Sequence, residues 1–454
     1  MTPEEFRKHG HTVVDWIADY MAHIRDYPVM SRNAAGDLIR ALPVSAPEEG
    51  EPFEQILSDF ERHVMPAVTH WNHPGFLSYF SVSGAPPGIL GEFLTAALNV
   101  NGMVWKSCPA VTELEQVTMS WLRQWLGLPP EWFGIIYDTA STSTLHALVA
   151  ARVKAQEQRG LGCERLVTYC SEQAHSSVEK DAITAGIPRA NVRKIACDDQ
   201  FRMRVDSLEE AIEKDAAAGL FAFCITATTG TTPTAAIDPI PAIAKIARHL
   251  DIWLHVDGAY GGMAAIVPER RWVLAGIEHA DSLVVNPHKW MLTPIDLSAF
   301  YTRRPEWLRR AFSLTPEYLR TAEQTENLMD YGMQLGRRFR ALKLWFTMRS
   351  YGHRALAGFI DNHCHMAQEL VSWIEADGRF EICAPVHFSL VCLRFKGSDE
   401  ENQRLLDRAN ATGAAFLSPT TLHGRLVIRF AIGNYQTTRD DVRQAWEAIR
   451  QAVA

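Results

Sequence analysis

The chain has 454 residues, 47% of them apolar and 22% charged, with a formal charge of −8 and a pI near 6.1. This balance excludes a globally disordered chain, and an acidic sign without a basic run argues against a nucleic-acid binder. Eight scattered cysteines form no CxxC pair, so they predict free thiols and a cytoplasmic setting rather than a disulfide scaffold. No apolar run reaches the ~20 residues of a membrane span, and the acidic start Met1-Thr2-Pro3-Glu4-Glu5 does not resemble a secretory leader.

Thr2-Pro3-Glu4-Glu5 has the composition of a helix start, with Thr2 as cap, Pro3 in the first turn and Glu5 completing a capping box. Phe6, Val13, Ile17, Tyr20 and Ile24 then recur at helical spacing, so one face of this helix needs a protein partner. Residues 28–52 hold prolines and acids and predict an extended connector. From about residue 90 to 300, short apolar runs alternate with helical stretches. Strands are predicted at Leu166–Cys170, Phe221–Ala227, Ile252–Val256 and Ser282–Val285, and helices at Thr144–Gln158, Ser207–Ala218 and Pro239–His249. That alternation predicts an α/β domain with a mainly parallel sheet flanked by helices. Further on, a helix at Ile360–Glu375, strands at Phe388–Phe395 and Arg425–Ala431, and a helix from Arg439 predict a small C-terminal α+β domain. The expected division is 1–85, 86–359 and 360–454.

Open parallel sheets bind ligands beyond the carboxyl ends of their strands. Those positions hold Asp257 after one strand, and Asn286, His288 and Lys289 after another. They also hold Gln173 and His175, the hydroxyl-rich run Thr228-Thr229-Gly230-Thr231-Thr232, and Asp138-Thr139-Ala140-Ser141-Thr142-Ser143 before a helix. Each has an ordinary structural role when taken singly: turn acid, solvated lysine, satisfied histidine, N-cap. Jointly they meet the needs of pyridoxal phosphate. That cofactor takes a lysine amine for a Schiff base and a carboxylate to keep its pyridine nitrogen protonated. It also takes hydroxyls and N–H groups at a helix start for its phosphate, and a flat group such as His175 against its ring. His363-Cys364-His365 does not make a metal site, because residues one and two apart on a helix do not share a face.

Two segments, His255-Val256-Asp257-Gly258-Ala259-Tyr260 and Asn286-Pro287-His288-Lys289-Trp290, resemble in sequence and spacing the signatures of the group II pyridoxal-phosphate-dependent decarboxylases. Thr69-His70-Trp71-Asn72-His73-Pro74, Ala174-His175-Ser176-Ser177-Val178-Glu179 and Leu335-Gly336-Arg337-Arg338-Phe339-Arg340 are similar to the aromatic-L-amino-acid branch. The likeness runs from about residue 5 to 450. It implies the pyridoxal-dependent transferase-like fold, fold type I. It also implies a homodimer with shared active sites, in which the N-terminal helices wrap the partner. The reaction it implies is decarboxylation of tryptophan, phenylalanine, tyrosine or dihydroxyphenylalanine through a Lys289 Schiff base and a quinonoid.

By the same resemblance, Lys289, Asp257, His175 and Tyr318 are the catalytic residues, with Tyr318 on a loop from about Ser313 to Asn327. Ala140, Ser141, Thr232, Asn286 and His288 complete the cofactor site. Trp71, Tyr79, Phe80, Met103 and Gly336 line the substrate pocket, and Gly336 with Met103 leaves room for a large planar ring. The chain departs from the family at Asp138-Thr139, where glycine or serine is usual, at Met103 and Ser81, and in a shortened stretch Asp330-Tyr331-Gly332-Met333-Gln334-Leu335. The nearest rival is an aromatic aldehyde synthase on the same scaffold; both Tyr318 and His175 are present here, which favours simple decarboxylation. A non-catalytic nucleotide-binding module ranks lower, since the chain has no GxGxxG after a strand.

Overall fold

Local capping chemistry starts the chain as expected. In the computed structural model, which describes residues 1–314 and 325–453, α1 spans Pro3–Ala22. Glu5 N–H donates to Thr2 Oγ1 at 3.2 Å and Thr2 N–H to Glu5 Oε2 at 2.7 Å, so the capping box is closed. Part of its apolar face packs within the chain. Trp16 meets Phe60 edge-on at 5.3 Å, and the Tyr20 hydroxyl lies 2.8 Å from His70 Nδ1. Phe6 and Val14 stay exposed. The expected extended connector is interrupted by a short helix, α2 (Asp37–Ala41), and α3 (Phe53–Asp59) follows.

Two helices that the apolar periodicity did not single out come next, α4 (Pro86–Leu98) and α5 (Pro109–Leu126), each with proline in its first turn. The main sheet then assembles from β1 (Phe133–Tyr137), β2 (Leu166–Ser171), β3 (Val192–Ile195), β4 (Phe221–Thr228), β5 (Trp253–Asp257), β6 (Ser282–Val285) and β7 (Ser298–Thr302), in the order β1-β7-β6-β5-β4-β2-β3. Strands β3, β2, β4, β5 and β6 run parallel; β7 runs antiparallel to both β6 and β1. The four predicted strands are all present, within one residue at each end.

Between the strands run α6 (Ala140–Arg159), α7 (Ser176–Thr184), α8 (Val205–Ala217) and α9 (Ile240–Leu250), followed by the single turn α10 (Pro287–Trp290) and then α11 (Pro305–Phe312). Alternation along each strand divides the core into two layers. Ile225 and Ala227 of β4, with Leu254 and Val256 of β5, pack among α8, α9 and α5. Cys224 and Trp253 face the opposite layer, where Ala147, Leu148 and Ala151 of α6 and Ala182 of α7 cover them. Both faces are therefore dry, and the polar side chains that can meet a ligand collect at the strand ends.

The predicted helix at Ile360–Glu375 is the second half of a longer element, α12 (Arg340–Ala376), broken at Gly352 with φ 70°. A left-handed residue stops the helical hydrogen-bond ladder, and glycine takes that conformation without a Cβ clash. Since α12 crosses residue 359, it joins the two layers of chain on either side of the expected boundary. Leu356 and Ile360 belong to the large core, Leu370 and Ile374 to the small one. The small core lies under an antiparallel sheet, β10-β11-β9-β8, built from β8 (Phe380–Ile382), β9 (Leu390–Phe395), β10 (Ser418–Leu422) and β11 (Arg425–Ala431). Two more helices, α13 (Asp399–Ala411) and α14 (Arg439–Gln451), pack on it.

Candidate active site

Register places the chemistry. Thr228, the last residue of β4, pairs with Asp257, the last residue of β5, which in turn pairs with Val284 two residues before Asn286. A cavity of about 280 Å³ opens at this edge, and its walls include Ala140, Ser141, His175, Thr232, Asp257, Asn286, His288 and Lys289. Every cofactor residue expected from sequence is therefore gathered in one place. Trp71 and Phe80 from the N-terminal segment close it, with Tyr260 and Thr228 as further wall residues.

Asp257 is buried, and its Oδ1 accepts the Ala259 N–H at 3.0 Å. Lys289 holds its proton less tightly than a free lysine because burial disfavours the ammonium; the nearby Asp257 carboxylate opposes that shift. A lysine whose amine loses its proton more easily is the nucleophile that carbonyl chemistry needs. His175 caps α7 by accepting the Ser177 N–H at 3.2 Å on Nδ1. Burial lowers its pKa, Asp257 opposes and Lys289 adds to the effect.

The start of α6 forms part of the cavity wall. Thr139 is the cap and takes the Thr142 N–H, and the N–H groups of the first turn, at Ala140 and Ser141, emerge where an anion would sit. The helix is seated by Ser143 Oγ, 2.8 Å from Ser298 Oγ, and by Thr144 Oγ1, 3.2 Å from His255 Nε2.

His288 fixes the orientation of Asn286. Leu297 N–H donates to His288 Nδ1 at 2.9 Å, and burial pushes the ring's pKa down to about 3, so Nε2 carries the single ring proton. The atom placed 3.2 Å from that Nε2 is Asn286 Nδ2; because an Nε2–H can only donate, we read the amide turned over, with its oxygen on the ring. This satisfies an oxygen that otherwise lies buried without a partner, and it turns the amide NH2 toward the cavity as a donor. A lysine amine of lowered basicity, a buried carboxylate, an orphaned Thr228 hydroxyl, an inward amide and a helix start are the donor set that pyridoxal phosphate fits.

The remaining expected substrate residues are placed differently. Tyr79 stacks on Trp71 at 5.7 Å and 18°, beside the cavity and about half exposed. Met103 and Gly336 do not line the cavity. They lie near each other, tied by Gly102 N–H to Arg337 O at 2.9 Å and Met329 N–H to Met103 O at 3.1 Å. Tyr318 lies outside the described residues. Of the family departures, Asp138 is turned aside. Its Oδ1 accepts the Thr139 N–H at 2.6 Å and its Oδ2 accepts from Gln334 Nε2 at 3.3 Å.

Sequence reading missed Tyr260 as a wall residue, although it stands in the quoted His255–Tyr260 motif. Its ring stacks on Phe80 at 3.6 Å and on Trp290 at 4.4 Å. It also missed Arg429 of β11, a buried guanidinium whose centre is 5.6 Å from the Phe80 ring and whose Nε and Nη2 lack partners among the described residues. An isolated arginine in an apolar strand was the only signal in the sequence. Among the described residues no group of three His, Cys, Asp or Glu side chains, at His363 or elsewhere, is placed to hold a metal ion.

Residues 35–396 match the family model described as the pyridoxal-dependent decarboxylase conserved domain. The chain belongs to that family and depends on pyridoxal phosphate, on the fold type I architecture described above. An aromatic-L-amino-acid decarboxylase of Sus scrofa is 41% identical, covering 100% of this chain and 97% of the relative. A phenylacetaldehyde synthase of Arabidopsis thaliana is 40% identical, covering 99% and 96%. The crystal structure of an Oryza sativa TDC with PLP and tryptamine superposes with a TM-score of 0.98 at 35% identity, covering 100% and 98%.

Proposed function

We propose that this chain decarboxylates an aromatic L-amino acid to the arylalkylamine and carbon dioxide, with the cofactor held on Lys289. The observation that carries the reading is the cavity itself, where the aromatic walls Trp71, Phe80 and Tyr260 lead to a lysine of lowered basicity and the buried Asp257. The bound cofactor supplies an electron sink for the bond that releases carbon dioxide. The protein does the rest. Asp257 would keep a proton on the cofactor's ring nitrogen, and His175 would supply the flat group against its ring. Ala140, Ser141, Asn286 and His288 would hold the phosphate end, and Thr232, in the same cavity wall, would sit beside the ring and Asp257. Trp71, Tyr79 and Phe80 orient the aromatic side chain and exclude water. Tyr318 delivers the proton to the α-carbon, an assignment that rests on the family resemblance alone.

The working form is a homodimer in the cytoplasm. Leu90, Phe93, Leu94 and Leu98 of α4, with Met333 and Leu335, are exposed large apolar side chains on a single chain and fit a second copy of it. That copy brings its Met103 and Gly336 to this cavity. All eight cysteines are free, as a reducing compartment requires, and no described helix is long and apolar enough to cross a membrane.

The resemblance to an aldehyde synthase supports a second reading, in which oxygen and water are consumed and aldehyde, ammonia and peroxide leave with the carbon dioxide. One experiment separates the two. Purified holoenzyme is given each aromatic amino acid, and amine, aldehyde, carbon dioxide and peroxide are quantified. Amine equal to carbon dioxide without peroxide supports decarboxylation. Peroxide equal to carbon dioxide assigns the synthase, and no carbon dioxide from any aromatic substrate overturns both.

A further inference from the structure

We propose that His363 is a positioning residue that ties the turn bearing Lys289 to the aromatic wall at Trp71. The indole N–H of Trp290, the residue after Lys289, donates to His363 Nδ1 at 3.0 Å. On the other side of the ring, Nε2 lies 3.1 Å from the backbone oxygen of Asn434. The Asn434 side chain then donates from Nδ2 to Trp71 O at 3.0 Å and to His73 O at 3.3 Å. The path from Lys289 to Trp71 is therefore continuous, and it runs outside the cavity.

The donor and acceptor pattern permits one form of the ring. An indole can only donate, so Nδ1 must be bare; a carbonyl can only accept, so Nε2 must carry the proton. The neutral Nε2–H tautomer satisfies both partners at once. His363 is 1% exposed, and burial lowers its pKa to about 4, so the ring stays in that form at neutral pH. His365, two residues on, points to the opposite, exposed side and meets Asp361 at 3.4 Å. The two histidines that invite a metal reading thus have separate jobs.

The consequence reaches the cavity through packing. Trp290 is 1% exposed and stacks on Tyr260, which stacks on Phe80, whose ring centre is 5.8 Å from Lys289 Nζ. A loosened Trp290 would release both the α10 turn and the far side of this stack. A loosened Asn434 would release Trp71. The Trp71 arm rests on the substrate reading above; the Lys289 arm rests only on the cofactor.

Two conservative variants separate the arms, because an asparagine amide overlays Nδ1 and a glutamine amide overlays Nε2. His363→Asn keeps the acceptor for Trp290 and loses the bond to Asn434. His363→Gln keeps the donor to Asn434 and loses the acceptor for Trp290. Three quantities are measured on folded holoenzyme: the pH midpoint of the lysine-bound cofactor absorbance, the cofactor Kd, and kcat and KM for an aromatic amino acid. His363→Gln should move the midpoint by about half a unit and weaken cofactor binding by about tenfold, the scale of one hydrogen bond. His363→Asn should leave both near wild type and raise KM several-fold at similar kcat. Trp290→Phe should reproduce the first pattern and Asn434→Ala the second, which keeps the test open if a His363 variant does not fold. Identical behaviour of the Gln and Asn variants, or a Trp290→Phe/His363→Gln double variant with additive shifts, overturns the proposal. If the wild type turns over no aromatic amino acid, the substrate reading fails while the absorbance and Kd measurements still decide the Lys289 arm.

Discussion

Gln334 donates a hydrogen bond to Asp138 Oδ2 at 3.3 Å, and that bond engages the acid that stands just before the start of α6. The Asp138 carboxylate also takes the N–H of the helix cap Thr139, so its charge is spent on local donors. Asp138→Asn should therefore change cofactor affinity by less than about fivefold, the scale of a weak exposed charge interaction. Fluorescence titration of the apoenzyme checks this, and a change of two orders of magnitude would place Asp138 on the phosphate.

Lys289 should carry the cofactor. Borohydride reduction of the holoenzyme followed by peptide mapping should label the peptide holding Asn286-Pro287-His288-Lys289 and no other lysine. Lys289→Ala should bind the cofactor only reversibly and should lose the absorbance of the lysine-bound form.

Asp257→Asn should lose on the order of 10²-fold or more in kcat while retaining some cofactor, because an amide cannot hold the ring-nitrogen proton as a carboxylate does. Steady-state kinetics with excess cofactor tests this. Turnover within a few-fold of wild type would remove Asp257 from its role.

Asp181 gives a pH signature. It is 6% exposed, its Oδ2 has no partner among the described residues, and burial, reinforced by Asp257 and opposed by Lys180, raises its pKa to about 7. The folded protein thus binds a proton that the unfolded chain has released between about pH 4 and 7, so this group makes stability fall as pH rises through that window. Asp181→Asn should then be more stable than wild type at pH 8, by on the order of 1–3 kcal/mol, and the difference should vanish below about pH 4. Urea denaturation at both pH values measures it; an equal gain at low and high pH would assign the effect to something other than titration.

Arg337 and Glu115 form a buried ion pair at 2.6 Å, with side chains 6% and 2% exposed. Ile136 N–H donates to the same Glu115 oxygen at 2.8 Å, so the pair anchors β1, the strand that leads into α6. Glu115→Leu should cost ~3–5 kcal/mol because a buried guanidinium loses its counter-charge. Adding Arg337→Leu should recover part of the loss, and chemical denaturation of the three variants checks both statements.

Much of this was legible because the expected site residues follow strand ends, where short, continuously apolar runs stop and polar residues begin. Asp257, His175 and Lys289 each stand one to five residues beyond such a run. The short strand β3 and the reversed β7 were not legible. Val192-Arg193-Lys194-Ile195 places charges in the middle of its strand, and strand direction depends on pairing that no local pattern encodes. The hydrogen bond from Trp290 to His363 was likewise hidden, since its partners are 73 residues apart and His363 reads locally as half of a metal motif. The positions of Met103 and Gly336 away from the cavity belong to the same class, because which cavity a residue borders depends on long-range packing that the periodicity of its own segment does not encode.

The reversed strand β7 acts as a spacer. It lies between β1 and β6, which point the same way, so the ends of those two strands sit two strand widths apart, about 10 Å at the usual inter-strand spacing. One end leads into the helix start at Ala140, the other into Asn286 and Lys289. A strand running backwards sends its own exit loop to the far edge, and the short segment that enters it at this edge brings Ile295 into the cavity wall. The molecule thereby keeps a slot whose width is set by the sheet's own lattice. Side-chain substitutions can retune its lining, but only a change of topology could alter its gauge.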